Sequence, residues 1–262
     1  MGQISIANDQ PFKIERHSQI KKLVEEKRRV TVIELSTLLN VSEATVRRDL
    51  EELDGQWLRR IHGGAIRLER AAKEPPMMER VAKQEDEKKR IGRAAAQLAQ
   101  EGETIFFGSG TTTMEIVHHL PEAIRLTAIT NSLPVVNALA GRPNIELIVI
   151  GGMFRPSELS MVGHIAEHAI REFRADRVFM GMRAIDAKHG FTNDFLPETT
   201  TDRTLMSIAP QVVVVADHTK FGLVSSVFVA PITAAHLIIT DTDTPSEIVA
   251  ELRELGAEVL LA

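Results

Sequence analysis

From residue 103 onward the chain alternates between short, continuous apolar runs and segments of helical periodicity, and no other feature restricts its fold as much. The runs are TIFF, LTAIT, IELIVI, RVFMG, VVVVA and HLIIT, most of them rich in β-branched residues. Between most of them lie TTMEIVHHL, LPVVNALA, IAEHAIREF and SEIVAELREL. A strand that is apolar throughout must be covered on both faces, the condition of a parallel sheet flanked by helices. We therefore expect an α/β fold whose larger, C-terminal part, residues 79–262, is built on a mostly parallel sheet. In such sheets ligands sit beyond the carboxyl ends of the strands, in loops that lead into helices.

Those loops carry the chemistry. The first reads GSGTTTMEI. Gly108 and Gly110 let backbone amides converge, and Ser109, Thr111, Thr112 and Thr113 add hydroxyls at a helix N-terminus, where the dipole favours an anion. The loop lacks the Gly-Lys-Ser/Thr end of a Walker A motif, and Thr113 stands where a dinucleotide fingerprint has its last glycine. A plain capped turn competes with a phosphate site; a strand, two glycines and four hydroxyls in succession favour phosphate. Other strand ends add Asn131 and Ser132 (TNSLPVV), Gly151, Gly152 and Arg155 (GGMFRP), Gly181 and Arg183 (GMRAID) and Lys220 (ADHTKFG). Each alone is an ordinary turn. Together they fall on the ligand edge of one sheet.

The first 70 residues have a different character. They hold 13 basic and 11 acidic residues, against 18 and 25 in the remainder, within a net charge of -5. A mildly basic head on an acidic body indicates that the head is the part that meets a polyanion. IERHSQIKKLVEEKRRV sets Ile14, Ile20, Leu23 and Val24 near helical spacing. Thr31 and Glu34 form a capping box before VIELSTLL, which offers Ile33, Leu35, Leu38 and Leu39 for burial. After a tight Asn-Val break, Ser42 caps EATVRRDLEEL. Its apolar stripe is Ala44, Val46, Leu50 and Leu53, leaving Thr45, Arg47, Arg48 and Asp49 to point elsewhere. Two short helices joined by a tight turn, the second opening with small polar residues and then two arginines, fit helix-turn-helix recognition of DNA. WLRRIHGGAIRL then reads as a hairpin about Gly63-Gly64, a wing whose Arg59, Arg60 and His62 lie along the duplex backbone. A solvated helical domain with exposed arginines is the bland alternative; caps, turn, basic pairs and hairpin agree against it.

Pro75-Pro76, set in dense charge, mark a linker over residues 71–78. From about Glu79 a helix is expected to run through RIGRAAAQLAQ and end at Gly102. Met77 and Met78 are read as packing residues.

The head closely resembles the DeoR family of bacterial transcriptional repressors. Arg16, Ile20, Ser42, Thr45, Arg47, Arg48, Asp49, Leu50, His62, Gly63 and Gly64 match its signature, although the family usually has one more residue between Leu53 and Arg59. The body resembles the same family's sensing domain through SGTTT, TNSL, GGMFR, FMG, ADHTKFG and IITD, in that order. The resemblance implies a winged helix-turn-helix that binds double-stranded operator DNA as an oligomer, dimer or tetramer. It also implies a domain similar to ribose-5-phosphate isomerase that binds a phosphorylated sugar as effector. Carried over position by position, it assigns Ser109, Gly110, Thr111 and Thr112 to phosphate and Asn131, Gly151, Gly152, Gly181, Glu198 and Lys220 to the sugar. Gly108 departs from a common aspartate. Arg183 replaces a small residue, which favours a more anionic ligand.

Two enzymatic readings compete. An isomerase would need one positioned carboxylate among Asp186, Asp194, Glu198 and Asp202, with Lys220 as electrophilic partner. HIAEH matches an inverted zinc-peptidase pattern, but the spacing makes Ile165, Ala166, Ala169, Ile170 and Phe173 the buried stripe and leaves His164 and His168 in water, with Glu167 able to pair with Arg171. His118-His119 are read as surface residues. We expect a regulator and not an enzyme, with no metal and no cofactor. Cysteine is absent, which excludes disulfides and thiolate metal sites. No apolar run approaches the roughly 20 residues of a membrane span. The first residues do not read as a signal peptide, so the expected location is cytoplasmic.

Overall fold

The structure is a computed structural model that describes residues 12–27, 29–71 and 74–262. Residues 1–11, on which the signal-peptide reading falls, lie outside the described residues, as do Ala72 and Lys73 of the linker. The chain divides into two compact units, one ending at Glu69 and the other running from Arg70 to Ala262.

In the first unit, helix Lys13–Lys27 leads through the short strand Arg29–Thr31 into helix Val32–Leu39. Thr31 and Glu34 form the reciprocal capping box, with Glu34 N to Thr31 Oγ1 at 3.2 Å and Thr31 N to a Glu34 carboxylate oxygen at 2.8 Å. Asn40 ends this helix in the left-handed region at φ 51°, and Ser42 caps helix Glu43–Leu53 by accepting from Thr45 N at 3.2 Å. Strands Leu58–Ile61 and Gly64–Arg67 form the hairpin, and Arg29–Thr31 pairs antiparallel with its second strand. The turn falls on His62 and Gly63 (φ 81°). Gly64 is already in the strand, where a Cβ would stand 2.1 Å from Val30 O. Ile20, Val24, Leu35, Val46, Leu50 and Leu58 make the core.

Several expected core residues face outward instead: Ile14, Ile33, Leu38 and Ala44 are exposed, because the stripes that pack are narrower than the apolar spacing allows. Asp49 goes the other way. It is buried and accepts from Arg16 Nε at 2.8 Å and Arg16 Nη2 at 3.0 Å, with His17 Nε2 at 3.2 Å. Burial opposes its ionisation, but the Arg16 guanidinium and His17 outweigh that and hold the carboxyl below its usual range.

The second unit is organised by seven parallel strands. Their spatial order is Glu258–Leu261, Leu237–Thr240, Gln211–Val215, Arg177–Gly181, Thr104–Phe107, Leu126–Thr130, Ile145–Val149. All six apolar runs are there; the seventh strand, EVLL, is an edge strand with one buried residue and gave no comparable run. Alternate residues feed two cores. Phe106, Val178, Val212, Val214 and Ile238 meet the helices His164–Arg171, Leu196–Ser207 and Ser246–Glu254. Ile105, Phe107, Phe179, Val213 and Val215 meet the helices Glu85–Ala96, Thr111–His119 and Leu133–Leu139.

The helix expected from Glu79 to Gly102 is broken. One turn, Met77–Arg80, precedes a reversal in which Gln84 sits at φ 48°, and the long helix is Glu85–Ala96. The reversal turns the carbonyls of Arg80 and Lys83 inward to the buried ammonium of Lys88, the former at 2.6 Å. Met77 is buried and Met78 exposed. In helix His164–Arg171, Ala166 and Ile170 are buried. Ile165 is exposed along with His164 and His168, and Glu167 accepts from Thr200 Oγ1 at 2.7 Å instead of meeting Arg171. No helix among the described residues is long and apolar enough to cross a membrane.

Candidate functional site

The order of the sheet fixes where a ligand would bind. From Thr104–Phe107 the chain builds outward to one edge, then returns to lay Arg177–Gly181 on the other side of that first strand. The loops leaving these two neighbours therefore part in opposite directions and open a crevice beyond the sheet, at the switch point. A cleft of about 280 Å³ lies there, lined by Ser109, Gly110, Thr111 and Thr112 from the first loop, Gly181 and Arg183 from the second, and Glu198 and Lys220.

Gly110 (φ 127°) begins helix Thr111–His119 and provides no side-chain cap, so the first-turn amides are not taken by a cap of the chain's own. Thr113 Oγ1 is fully buried behind them, with no hydrogen-bond partner among the described residues. It lies 3.9 Å from where a Cβ on Gly181 would stand. Gly108 packs so closely that a Cβ there would be 3.2 Å from Phe179 O, which leaves little room for a larger residue.

Charge is dense around this loop. Arg80 Nη1 is 3.2 Å from Glu74 and its Nη2 is paired with Glu158. Arg183 Nε lies 3.4 Å from Glu74 and 3.7 Å from Asp194. Lys220 is paired with Glu74, and Arg155 with Glu198. Asn193 Nδ2 donates to Glu198 at 2.9 Å and to Asp202 at 3.2 Å. Burial pushes the Glu198 carboxyl up and the Asp202 carboxyl well up, the latter helped by the neighbouring Glu198 charge. Burial also lifts Glu158, to about 7, and lowers Lys88.

Glu158 gives the cleft a pH dependence. Its folded pKa of about 7 lies above the usual 4.5, so its contribution to stability is fully present below 4.5 and is lost as pH rises through about 7. The same ionisation places a negative charge beside Arg80. Sulfate, which does not titrate in this range, should therefore bind about three- to tenfold more weakly at pH ~8 than at pH ~6. Titration of the full chain with sulfate checks this, and Glu158→Gln should flatten the profile.

Not every expected ligand contact is gathered here. Asn131 is buried in a brace, donating from Nδ2 to Met161 O at 2.8 Å while Met161 N donates to its carbonyl, and it does not line the cleft. Gly151 and Gly152 are exposed, and at Gly152 (φ 155°) a Cβ would stand 2.9 Å from the Ala166 methyl. That glycine answers to the packing of helix His164–Arg171. Conversely Glu74, Arg80, Lys88, Glu158 and Asn193 line the cleft and were not foreseen. The first three sit in a charged segment where composition alone marks a linker and a surface helix.

In the head, Arg47 and Arg48 are exposed on helix Glu43–Leu53, Ser42 is exposed at its cap and Thr45 is half-buried. Arg60 and His62 are exposed on the wing, whereas Arg59 is 5% exposed, buried next to Leu58 on the same strand.

Comparison with known proteins places both halves. Residues 16–71 match the family described as DeoR-like helix-turn-helix domain, and residues 83–242 match the DeoR C terminal sensor domain. A putative aga operon transcriptional repressor of Escherichia coli is 32% identical over 250 residues, 94% of this chain and 93% of the relative. A glycerol-3-phosphate regulon repressor of Escherichia coli is 31% identical over 240 residues, 92% of this chain and 95% of the relative. Among solved structures, ribose 5-phosphate isomerase A from Methanocaldococcus jannaschii aligns with 18% identity and a TM-score of 0.39, over 53% of this chain and 55% of that one.

Proposed function

Because this chain belongs to the DeoR family of transcriptional regulators, we propose that it is a repressor of a sugar-metabolism operon, released from operator DNA by a phosphorylated sugar. In this reading residues 1–70 bind DNA, 71–78 link, and 79–262 sense the effector. One observation carries it: an uncapped helix N-terminus with Ser109, Thr111 and Thr112 opens into a cleft that also holds Arg183 and Lys220. Backbone amides and hydroxyls at a helix start suit a phosphate, and the cations suit its remaining charge. Glu198 and Gly181 are placed to meet the sugar. The relative named for the glycerol-3-phosphate regulon supports a phosphorylated metabolite as the signal.

On DNA, Ser42, Thr45, Arg47 and Arg48 enter the major groove and Arg60 and His62 follow the backbone. Operator symmetry calls for a dimer or tetramer. Against the isomerase alternative, Glu198 is engaged by Arg155 and Asn193, and Asp194 lies 3.7 Å from Arg183.

A gel shift tests the reading, using the DNA upstream of the chain's own gene and a panel of sugars with and without phosphate. One phosphorylated sugar should dissociate the complex while its unphosphorylated counterpart does not. A complex indifferent to every phosphorylated member contradicts it.

A further inference from the structure

The cationic end of the cleft is already filled. Glu74 immediately precedes Pro75-Pro76 and belongs to neither the sheet nor its helices. Its carboxylate meets three cations contributed by three separate parts of the unit: Arg80 at 3.2 Å, Arg183 at 3.4 Å, and Lys220 in direct ion pairing. Three cations converge on this one carboxylate, two of them with a second carboxylate on their far side, Glu158 for Arg80 and Asp194 for Arg183. A phosphate carries three acceptor oxygens and up to two charges, and so matches such a cradle better than a monovalent carboxylate does.

We propose that Arg80, Arg183 and Lys220 form an anion subsite that the chain's own Glu74 occupies until effector arrives, so that the ligand binds by displacing a tethered competitor. The inference rests on the reading of this cleft as a phosphate site and specifies what phosphate must do there. Arg80 retains Glu158 and Arg183 retains Asp194 when Glu74 leaves, so displacement does not strand either guanidinium. The segment carrying Glu74 is held on both sides: Ala71 N donates to Val224 O at 3.0 Å and Met77 N to Ser157 O at 2.7 Å. Glu74 lies five positions beyond Glu69, where the first unit ends. The binding-competent cleft is the one with Glu74 out, and the apparent affinity for an anion is lowered by the fraction of chains in which it is in.

Calorimetric titration of the full chain with inorganic phosphate tests this. Glu74→Gln should bind phosphate roughly tenfold more tightly than the unaltered chain, since the neutral amide competes poorly for the cations. Adding Lys220→Met should abolish the gain. In the unaltered chain, saturating phosphate should raise amide exchange across residues 74–80, a readout that needs no variant. Equal affinity in the unaltered chain and Glu74→Gln, a gain that survives Lys220→Met, or unchanged exchange with phosphate bound would each overturn the inference while leaving the phosphate reading in place. No phosphate binding even in Glu74→Gln would overturn both.

Discussion

Replacing Arg47 and Arg48 together by alanine should weaken binding to operator DNA by roughly 100-fold or more, with the head still folded. Each arginine that takes a phosphate or a guanine edge contributes about 1–3 kcal/mol to the complex. Neither contributes comparably to the fold. Both are exposed on helix Glu43–Leu53, while Val46 and Leu50 beside them carry the core. Arg47 Nη2 lies 2.6 Å from Glu43 one turn away, an exposed pair worth no more than about 0.5 kcal/mol. The double variant should therefore melt with the unaltered protein. Fluorescence anisotropy with a labelled duplex, repeated across salt concentrations, reads both parts of the claim. Affinity should fall, and the dependence of log K on log salt should flatten by about two phosphate contacts. Full operator affinity in the double variant would mean that this helix does not face the duplex.

Gly181→Leu should produce the opposite phenotype, a repressor that holds DNA and no longer hears its effector. Gly181 ends the second switch-point strand, and a Cβ there meets Ser109 O at 3.7 Å, Thr113 Oγ1 at 3.9 Å and Val215 O at 3.9 Å. These are ordinary contacts, so the strand tolerates the substitution. The rest of the leucine must project into a cleft of about 280 Å³, against the loop proposed to hold phosphate. We expect effector affinity to drop by about 100-fold or more, from steric exclusion and from lost amide contacts, while operator affinity stays as it was. Titrating the repressor–DNA complex with the effector identified by gel shift separates these effects. Normal release in Gly181→Leu would place the ligand elsewhere.

How far the sequence reaches can be judged from particular residues. The strands were legible because burial on both faces forces an unbroken apolar run, as in VVVVA, and this leaves a mark that no helix of ordinary amphipathicity shares. Thr31, Glu34 and Ser42 were legible because caps are local chemistry, settled within four residues. The helix Leu196–Ser207 was not, since its LPETTTDRTLMS buries threonines and shows little apolar periodicity. Arg59 and Arg60 look alike in sequence, yet Arg59 is buried and Arg60, opposite Ala65 in the hairpin, is exposed, a difference that packing around the strand sets and no local pattern shows. Asn131 and Gly152 carry the marks of a ligand loop, yet long-range packing against Met161 and Ala166 gives each another task. Glu74 was hidden for the same reason: its partners Arg80, Arg183 and Lys220 are up to 146 positions away, and nothing local distinguishes it from a solvated linker carboxylate.

Release of operator by a sugar phosphate is a coupling between two ligands, and coupling is reciprocal. The most direct measurement is therefore the affinity of the full chain for the releasing sugar phosphate, determined with and without saturating operator duplex. Operator should weaken sugar-phosphate binding by the same factor by which the sugar phosphate weakens operator binding. Equal sugar-phosphate affinity in the presence and absence of operator would contradict it.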